Sequence, residues 1–275
     1  MDKLIADGPD DDDLAALASA AGVATTALPA ERYVGPLGSG SDFTVFLQYL
    51  GIASGNVGFG RKATDPVYHY HSIYDSAYWM DKFGDPSFAR HVAVAKIMGL
   101  GLLRLADELI LPINATSYAG ELGYYAQKVH AIAADLPSSA RQSLDLASLD
   151  GAVESVKLAT ASLDVEATLV LDELERLHKS FPPNLGKLKA VLLKVRSINK
   201  RLQHFEGGFI DEEGLIGREW YRSLVVAPGR YLGYGATTFP GVTEALVLDK
   251  DVERAGYEVK RLVKALDKVA RGLFE

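Results

Sequence analysis

The highest concentration of reactive side chains lies between Asp65 and Phe83, in the stretch DPVYHYHSIYDSAYWMDKF. It holds two of the chain's six histidines, His69 and His71, with Tyr70 between them. If this stretch is extended, alternate residues share a face, and both imidazoles would approach one metal ion. The alternative is a hydrogen-bonded histidine pair in a loop. Local spacing alone leaves both interpretations open.

Two glycine-rich segments are further candidates for binding. The first, LGSGSD at residues 37–42, lacks the Lys-Ser/Thr ending of a phosphate loop, so a tight turn that allows close approach is favoured. The second lies within residues 205–249, which are rich in glycine and aromatic residues and too long for an ordinary connection between helices. Long ordered loops of this kind are often functional.

Composition bounds the class of protein. The chain has 275 residues, enough for one large or two modest domains, with 48% hydrophobic and 24% charged residues. Its net charge of −7 gives no electrostatic reason to expect a nucleic acid partner. Because cysteine is absent, disulfides, thiolate metal sites and cysteine nucleophiles are excluded.

Residues 1–34 form a poorly defined N-terminal segment. The acidic run Asp10–Asp13 is typical of a helix start leading into Leu14–Ala21, and it is unlike the basic leading region of a secretory signal. The chain has no apolar run of the ~18 residues that span a bilayer, so we expect no membrane segment in it. The most apolar stretch, Val92–Leu109, carries interspersed charges and predicts a helix buried on most sides. The cellular compartment stays undetermined.

Two styles of sequence meet near Pro112. Before it, short segments alternate with glycine and proline, which is typical of α/β structure, and Asp42 is placed to cap a short helix over Phe43–Leu50. After it, apolar residues recur at spacings of three and four in four stretches, at residues 122–136, 149–177, 185–202 and 252–273. Four amphipathic helices bury their apolar faces by packing as a bundle. The predicted class is mainly α: a C-terminal helical bundle preceded by a partial α/β region.

The ordered combination of four motifs carries a resemblance to a known family. The motifs are LGSGSDFTVFLQYLGIASG, YHYHSIYDSAYWMDKFGDPSF, LPINATSYA and APGRYLGYGATTFPGVTEAL. Together they resemble the glutamate carboxypeptidase and transferrin receptor family. The resemblance implies that residues 35–112 are the C-terminal part of an aminopeptidase-type zinc peptidase domain and that residues 113–275 are a helical dimerisation domain. It also implies a homodimer, a peptide or dipeptide substrate, and two zinc ions per site in the full-length parent.

The resemblance also assigns site residues. His71 matches the last zinc ligand of the family, and Tyr70 matches the tyrosine that precedes it near the substrate. Gly40 and Tyr234 match residues of the substrate pocket. We therefore expect residues 205–249 to lie over the histidine stretch, with Tyr234 near His71.

Several positions depart from the family pattern. Ser41 stands where glutamate carboxypeptidase has a pocket asparagine, and Gly233 replaces the lysine that pairs with an acidic substrate. Asn56 and Gly58 replace two arginines. Selection of a C-terminal glutamate therefore loses its main cations, and Arg230 is the nearby residue that would have to substitute for them.

The largest departure concerns the metal ligands. The family's other ligands and its general base precede the Tyr-His-Ser histidine, whereas upstream of His71 this chain has only one further histidine, His69, and no Glu-Glu pair. One ligand cannot hold a catalytic zinc. We therefore predict no catalytic residue and no tightly bound zinc in this chain, which is interpreted as an inactive fragment of a zinc peptidase. Loss of the parent's peptidase body is expected to leave apolar surface uncovered, including parts of Val92–Leu109. The alternatives are part of a non-catalytic, transferrin-receptor-like protein and an independent helical interaction domain.

Overall fold

A computed structural model describes residues 35–60, 64–179, 182 and 184–274. The N-terminal segment 1–34, with the helix predicted after Asp10–Asp13, lies outside the described residues. In chain order the α-helices of the described residues are α1 (Phe43–Val45), α2 (Ala77–Trp79), α3 (Ala89–Asp107), α4 (Ala115–Ala134), α5 (Ser138–Gln142), α6 (Leu146–His178), α7 (Leu185–His204), α8 (Pro240–Glu244) and α9 (Val252–Phe274). Single π-helical turns follow α1, α2 and α8 at Phe46–Leu50, Met80–Gly84 and Ala245–Asp249, and 3-10 turns lie at Pro86–Phe88 and Glu206–Phe209. The strands are β1 (Val226–Pro228) and β2 (Ala236–Thr238).

The chain divides into two compact units. One, here called the helical unit, contains Gly38–Ser54 and the chain from Leu109 onward; the other, the histidine-bearing unit, contains residues 35–37 and Gly55–Glu108. The helical domain was expected to begin at residue 113. The C-terminal part of the helical unit begins at Leu109, where α7 binds the segment that leads into α4. Asn199 Nδ2 donates to the Leu109 carbonyl and Asn199 Oδ1 accepts from the Leu111 N–H, both at 2.9 Å.

Four long helices form the core of the helical unit. The four amphipathic stretches of the sequence fall on α4, α6, α7 and α9, and α6 packs against each of the other three. Their inward positions repeat every three or four residues, as one face of a helix requires. Among the largest fully buried side chains are Leu122, Leu149, Leu163, Ile198 and Leu266. The predicted mainly α class with a helical bundle is confirmed.

Asparagine side chains fix the starts of two bundle helices. Asn114 Oδ1 accepts from the Ser117 N–H at 2.7 Å before α4, and Asn184 Oδ1 accepts from the Lys187 N–H at 3.0 Å before α7. These bonds satisfy backbone donors that the first helical turn leaves unpaired. The short helix predicted after Asp42 is present, but the Asp42 side chain makes no capping bond to it.

The segment between α7 and α9 is packed onto the bundle. Its strands β1 and β2 pair antiparallel, with Val226 opposite Thr238, Ala227 opposite Thr237 and Pro228 opposite Ala236. Phe239, directly after β2, is fully buried, and its ring meets that of Tyr125 on α4 edge to face at 5.7 Å. Aromatic contacts of this kind add to the burial of apolar surface, so this long connection is an ordered part of the unit.

The histidine-bearing unit is built differently. Its described residues form helices and loops with no strand, so the α/β texture of the sequence is not expressed there as a sheet. A strand requires a hydrogen-bonded neighbour, and none lies among these residues. The helix predicted over Val92–Leu109 forms as α3, but the expectation that it is buried is wrong: none of its residues is buried, and Leu100, Leu102 and Leu103 are 62%, 68% and 63% exposed. The described residues leave this apolar helix uncovered.

Among the described residues, no helix is both long enough and apolar enough to cross a bilayer.

Candidate functional site

Two glycine-rich loops that are about 190 residues apart in sequence meet in the helical unit. The backbone N–H of Ser39 donates to the carbonyl of Tyr234 at 3.1 Å, and the Ser39 hydroxyl lies 3.5 Å from the carbonyl of Gly233. A side chain at Gly38 would collide with the backbone of residues 234–236. Glycine is needed here because two backbones approach each other directly. The first loop is therefore fitted to the second.

Gly40 and Tyr234 form the centre of this contact. Gly40 has a φ of +94°, and a Cβ placed on it would lie 2.5 Å from Cδ1 of the Tyr234 ring. Both the backbone conformation and the space therefore require glycine at this position. Gly233, next to Tyr234, also has a left-handed φ of +60°. The structure thus places Gly40, Gly233 and Tyr234 together, and their role in a substrate pocket stays a prediction.

Ser41 lies at the edge of this contact and starts a helix. Its carbonyl accepts from the Thr44 N–H at 3.0 Å and from the Thr44 hydroxyl at 2.7 Å, while the Ser41 side chain is exposed. One turn later, the fully buried Gln48 donates from Nε2 to the Gly38 carbonyl at 3.2 Å. The helical segment that follows Ser41 therefore holds the glycine loop in place through Gln48.

Arg230 makes its ion pairs within residues 205–249, the segment between α7 and α9 that is here called the late loop. Its guanidinium contacts Asp249 at 2.6 Å and Glu244 at 3.4 Å, and its backbone N–H donates to Glu244 at 3.0 Å. The hydrogen bond from Arg230 lowers the pKa of Asp249 although partial burial opposes this, and the bond to Asp249 raises the pKa of Arg230. Arg218 adds a second bond to Glu244 at 2.8 Å. The charge of Arg230 is balanced within the loop.

His71 and Tyr70 lie in the histidine-bearing unit. Their rings stack with centroids 3.8 Å apart, and His71 is exposed with a left-handed φ of 56°. The turn is held by the Ser72 hydroxyl, which donates to the His69 carbonyl at 2.8 Å, while the His69 ring contacts Trp79 edge to face. A left-handed residue other than glycine is uncommon and often marks a functional position. His69 is directed to aromatic packing and not to a shared metal site with His71.

The described residues do not fit a complete zinc centre. No group of three or more histidine, cysteine, aspartate or glutamate side chains that could hold a metal ion occurs in the part of the chain that the structure describes. A catalytic zinc needs three protein ligands with an open position for water, and a two-zinc centre needs more. We therefore assign no chemical step to a metal held by this chain alone.

Sequence reasoning missed a buried acid in the helical unit. Glu206, which follows α7, is 7% exposed, and Tyr118 on α4 donates its hydroxyl to Glu206 Oε1 at 3.2 Å. Burial raises the pKa of Glu206 to about 7, although the bond from Tyr118 lowers it. The sequence signal that would have identified Glu206 is its position directly after the apolar residues of α7, between Phe205 and two glycines.

Comparisons with known proteins agree with this arrangement. The model of the transferrin receptor-like dimerisation domain matches residues 144–273, which include α6, α7, α8, α9 and the late loop. The chain is 37% identical over 209 residues to a probable glutamate carboxypeptidase of Arabidopsis thaliana, covering 76% of this chain and 26% of that protein. It is 38% identical over 216 residues to a probable glutamate carboxypeptidase of Arthroderma benhamiae, covering 78% and 27%. It is also 28% identical over 230 residues to an inactive zinc metalloprotease of Schizosaccharomyces pombe, covering 83% and 27%.

The matches extend over most of this chain but only part of each relative. The chain spans about a quarter of the length of these curated relatives, at 26–27%. Three of the four bundle helices, α6, α7 and α9, lie in the region matched by the dimerisation-domain model, and α4 precedes it. The carboxypeptidase matches extend over more of the chain than that domain. This chain belongs to the glutamate carboxypeptidase and transferrin receptor-like family and carries that family's dimerisation domain.

Proposed function

We propose that this chain is the dimerisation module and peptidase-domain tail of a glutamate carboxypeptidase-like zinc metallopeptidase, and that it has no peptidase activity by itself. One observation carries the proposal. The loop with Gly40 is seated on the loop with Tyr234, and that second loop belongs to the region matched by the dimerisation-domain model. A wall of a binding pocket is thereby attached rigidly to a domain whose role in the family is association.

In this proposal the two loops contribute to binding and not to bond breaking. Gly40, Ser41, Gly233 and Tyr234 form one wall of a pocket for a peptide or dipeptide, and Tyr70 contributes beside the metal. His71 supplies one zinc ligand, while the remaining ligands and the general base come from outside this chain. The exposed ring of His71 on a strained backbone supports that role, because a ligand must present its nitrogen to solvent or metal.

The same pocket wall is proposed to accept a substrate without an acidic C-terminal side chain. Gly233 has no charge, and the guanidinium of Arg230 is already paired with Asp249 and Glu244. Binding a substrate carboxylate through Arg230 would require breaking charge-assisted bonds that the loop already makes. Arg230 is therefore a structural residue of the loop in this proposal.

The direct test combines metal analysis, hydrolysis and light scattering on the purified, tag-free chain. We expect no stoichiometric zinc after dialysis, no release of amino acid from neutral or acidic dipeptides with added zinc, and a two-fold homodimer at micromolar concentration. Turnover that His71→Ala abolishes would overturn the assignment of an inactive module. A monodisperse monomer at high micromolar concentration would overturn the role in dimerisation.

A second function is favoured by one comparison. The relative from Schizosaccharomyces pombe is named an inactive zinc metalloprotease, so non-catalytic members occur among the relatives of this chain. A receptor-like or purely structural role would need the dimer but not His71. A fusion of this chain to the peptidase portion of a carboxypeptidase relative separates the two functions. If the chain is a catalytic tail, the fusion is a zinc-dependent hydrolase that His71→Ala inactivates. If the chain is a receptor-like tail, the fusion has no such activity.

A further inference from the structure

The 3-10 turn Glu206–Phe209, here called the Glu206 turn, places an ionisable side chain inside the helical unit. The Glu206 carboxyl accepts from the Tyr118 hydroxyl at 3.2 Å, and the Tyr118 ring contacts the rings of Phe205 and Phe209 at 5.3 and 5.5 Å. Burial in these surroundings raises the pKa of Glu206 to about 7, although the bond from Tyr118 lowers it. A negative charge on this carboxyl is therefore unfavourable while the turn stays in place.

The charged groups around the Glu206 turn are engaged elsewhere or exposed. Besides Tyr118, the titratable side chains on the elements next to the turn are Glu121 and Tyr125 on α4, Arg201 and His204 on α7, Asp267, Lys268 and Arg271 on α9, Asp42 and Tyr49 in Gly38–Ser54, and Asp211 and Arg222 after the turn. Arg201 pairs with Glu166, and Asp211 pairs with Arg261. Burial and the bond from Tyr118 are the causes that shift the pKa of Glu206. An ionised Glu206 would therefore have no counter-ion among the described residues.

The Glu206 turn lies between α9 and the end of the segment Gly38–Ser54. A Cβ on Gly208 would lie 2.4 Å from Cγ2 of Val269 on α9, and a Cβ on Gly51 would lie 2.7 Å from the Cα of Gly207. Gly51 also has a left-handed φ of +68°. Glycine is needed at these positions because the backbones are in direct contact. An outward movement of the turn would therefore remove the support of Gly51.

The segment that ends at Gly51 begins at the glycine loop around Gly40. The Gly51 N–H donates to a carbonyl at the start of the π-helical turn. The buried Gln48 of this turn donates from Nε2 to the Gly38 carbonyl at 3.2 Å, and the next residue of the loop donates its N–H to the Tyr234 carbonyl at 3.1 Å. The segment is therefore held at one end by the loop with Tyr234 and at the other end by the Glu206 turn.

We propose that Glu206 is a positioning residue for the proposed pocket wall. With its carboxyl protonated, the Glu206 turn supports Gly51, and ionisation frees the segment Gly38–Ser54, so that Gly40 loses its fixed place against Tyr234. An ionised carboxylate gains water only if the turn moves outward, and the two glycines that follow Glu206 allow that movement. The inference rests on the proposed function, which defines the pocket wall, and it adds a pH-dependent control of that wall.

The sign and size of the effect follow from the two states of Glu206. In the closed state the pKa is about 7, and in an open state with a solvated carboxyl it returns to 4.5. The closed state therefore binds more protons between these values, so the equilibrium constant for opening rises with pH and levels off above about 7. Complete solvation in the open state corresponds to an increase of up to roughly 70-fold between pH 5 and pH 8.

The first experiment follows amide hydrogen exchange of the whole chain from pH 5 to pH 8, corrected for the pH dependence of chemical exchange. We expect exchange in residues 38–54 to increase at least about tenfold in the wild type and in Glu212→Gln, and less than about threefold in Glu206→Gln. A pH dependence that Glu206→Gln retains, or its absence in the wild type, would overturn the proposal.

Low concentrations of urea separate a positioning role from a purely structural one. A local opening exposes little surface, so its equilibrium constant responds weakly to urea, whereas unfolding of the whole unit responds strongly. We expect exchange in residues 38–54 to be nearly independent of urea and exchange in the centre of α6 to increase with it. Equal urea dependence of the two regions would show that the segment opens only when the unit unfolds, and the positioning role would be wrong.

The second experiment uses the absence of cysteine in the chain. Leu47→Cys places a single thiol at a buried position of the segment, and Leu122→Cys places one in the core of the bundle. After correction for the thiolate fraction, labelling of Leu47→Cys should be faster at pH 8 than at pH 5, and Glu206→Gln in the same chain should abolish the difference. Leu122→Cys should be labelled far more slowly at both pH values. Equal rates for the two thiols would contradict a local opening.

Light scattering of the same samples keeps this proposal separate from the proposed function. If the chain is a dimer and residues 38–54 show no pH effect, the positioning role of Glu206 is wrong and the dimerisation function stands. If the chain is a monomer and the pH effect depends on Glu206, the dimerisation function is wrong and the control of the segment stands.

Discussion

The pH dependence of stability should be dominated in the neutral range by the buried acid Glu206. Its carboxyl is 7% exposed and faces the Tyr118 hydroxyl, and burial raises its pKa from 4.5 to about 7. An acid whose pKa is higher in the folded state binds more protons when folded than when unfolded between these two values. The free energy of unfolding therefore falls as the pH rises from 4.5 to 7, and the loss is complete above 7.

The magnitude follows from the size of the shift. At ~1.4 kcal/mol per pKa unit, a rise from 4.5 to about 7 corresponds to roughly 3–4 kcal/mol in total, of which roughly 2–3 kcal/mol is lost between pH 5 and pH 8. Glu206→Gln removes the ionisation while its carbonyl still accepts from Tyr118. The difference in unfolding free energy between the Gln variant and the wild type should therefore increase by that amount from pH 5 to pH 8, whatever its value at pH 5.

Urea unfolding at pH 5, 6, 7 and 8, followed by circular dichroism, measures this difference. Glu212→Gln serves as the control, since Glu212 is exposed in the same segment, and its difference from the wild type should stay constant. Tyr118→Phe removes the hydrogen bond that lowers the Glu206 pKa, so the steepest part of the wild-type curve should move to higher pH. A Gln-minus-wild-type difference that varies by less than 0.5 kcal/mol over this range would refute the burial of an ionisable Glu206.

Two further substitutions test the packing of the site and of the helical unit by thermal and urea unfolding. Gly40→Ala should destabilise the fold by about 1–3 kcal/mol, because the φ of Gly40 is +94° and the Tyr234 ring fills the space a Cβ would need. Its control, Gly120→Ala on the exposed face of α4, should stabilise the fold by about 0.5–1 kcal/mol. Equal effects of the two substitutions would show that the loop contact is absent. Arg261→Leu should lower the free energy of unfolding by about 3–5 kcal/mol, because it leaves buried Glu258 and the carbonyl of Gly214 without this partner. Its control, Lys179→Ala, removes an exposed ion pair with Glu175 and should lower it by less than about 1 kcal/mol. A small effect of Arg261→Leu would mean that water solvates Glu258.

The bundle was predictable because its helices are long and amphipathic. Apolar periodicity extends over the whole of α6 and α9, so the class and the approximate bounds follow from the sequence. Exposure of part of α3 was expected only from the interpretation of the chain as a fragment. The apolar sequence by itself specifies that the helix needs cover and not whether the cover is present. The exposure of three apolar residues on the outer face of α6, Leu158, Val165 and Leu169, was also missed, because the buried face of the same helix has the stronger apolar periodicity.

The site was predictable only through resemblance and only in its residue types. Local sequence around Gly40 indicates a tight turn, but not that Tyr234 supplies the ring packed against it, because that contact joins positions 194 residues apart. The binding of Arg230 by Asp249 and Glu244 was likewise hidden, since Glu244 ends α8 and Asp249 ends the π-helical turn that follows it, 14 and 19 residues from Arg230. The expected approach of Tyr234 to His71 stays a prediction.

The segment Gly38–Ser54 links the glycine loop around Gly40 to the dimerisation domain. The Gln48 carbonyl accepts from the Arg222 N–H at 2.8 Å, and the Arg222 guanidinium lies 3.9 Å from the centre of the Tyr49 ring. Tyr49 in turn stacks on Trp220 at 5.4 Å. A segment expected in the peptidase portion is therefore part of the helical unit.

For the proposed function, this attachment gives a physical reason to keep the proposed pocket wall and the dimerisation domain in one chain. A pocket wall built from glycine loops has little packing of its own and many accessible backbone states. Anchoring those loops to the helical bundle, through Gln48 at one end and Phe239 at the other, restricts those states. In the proposed dimer, association that stabilises the bundle also holds these loops more firmly, so that dimerisation and the order of the proposed pocket are coupled through the same core.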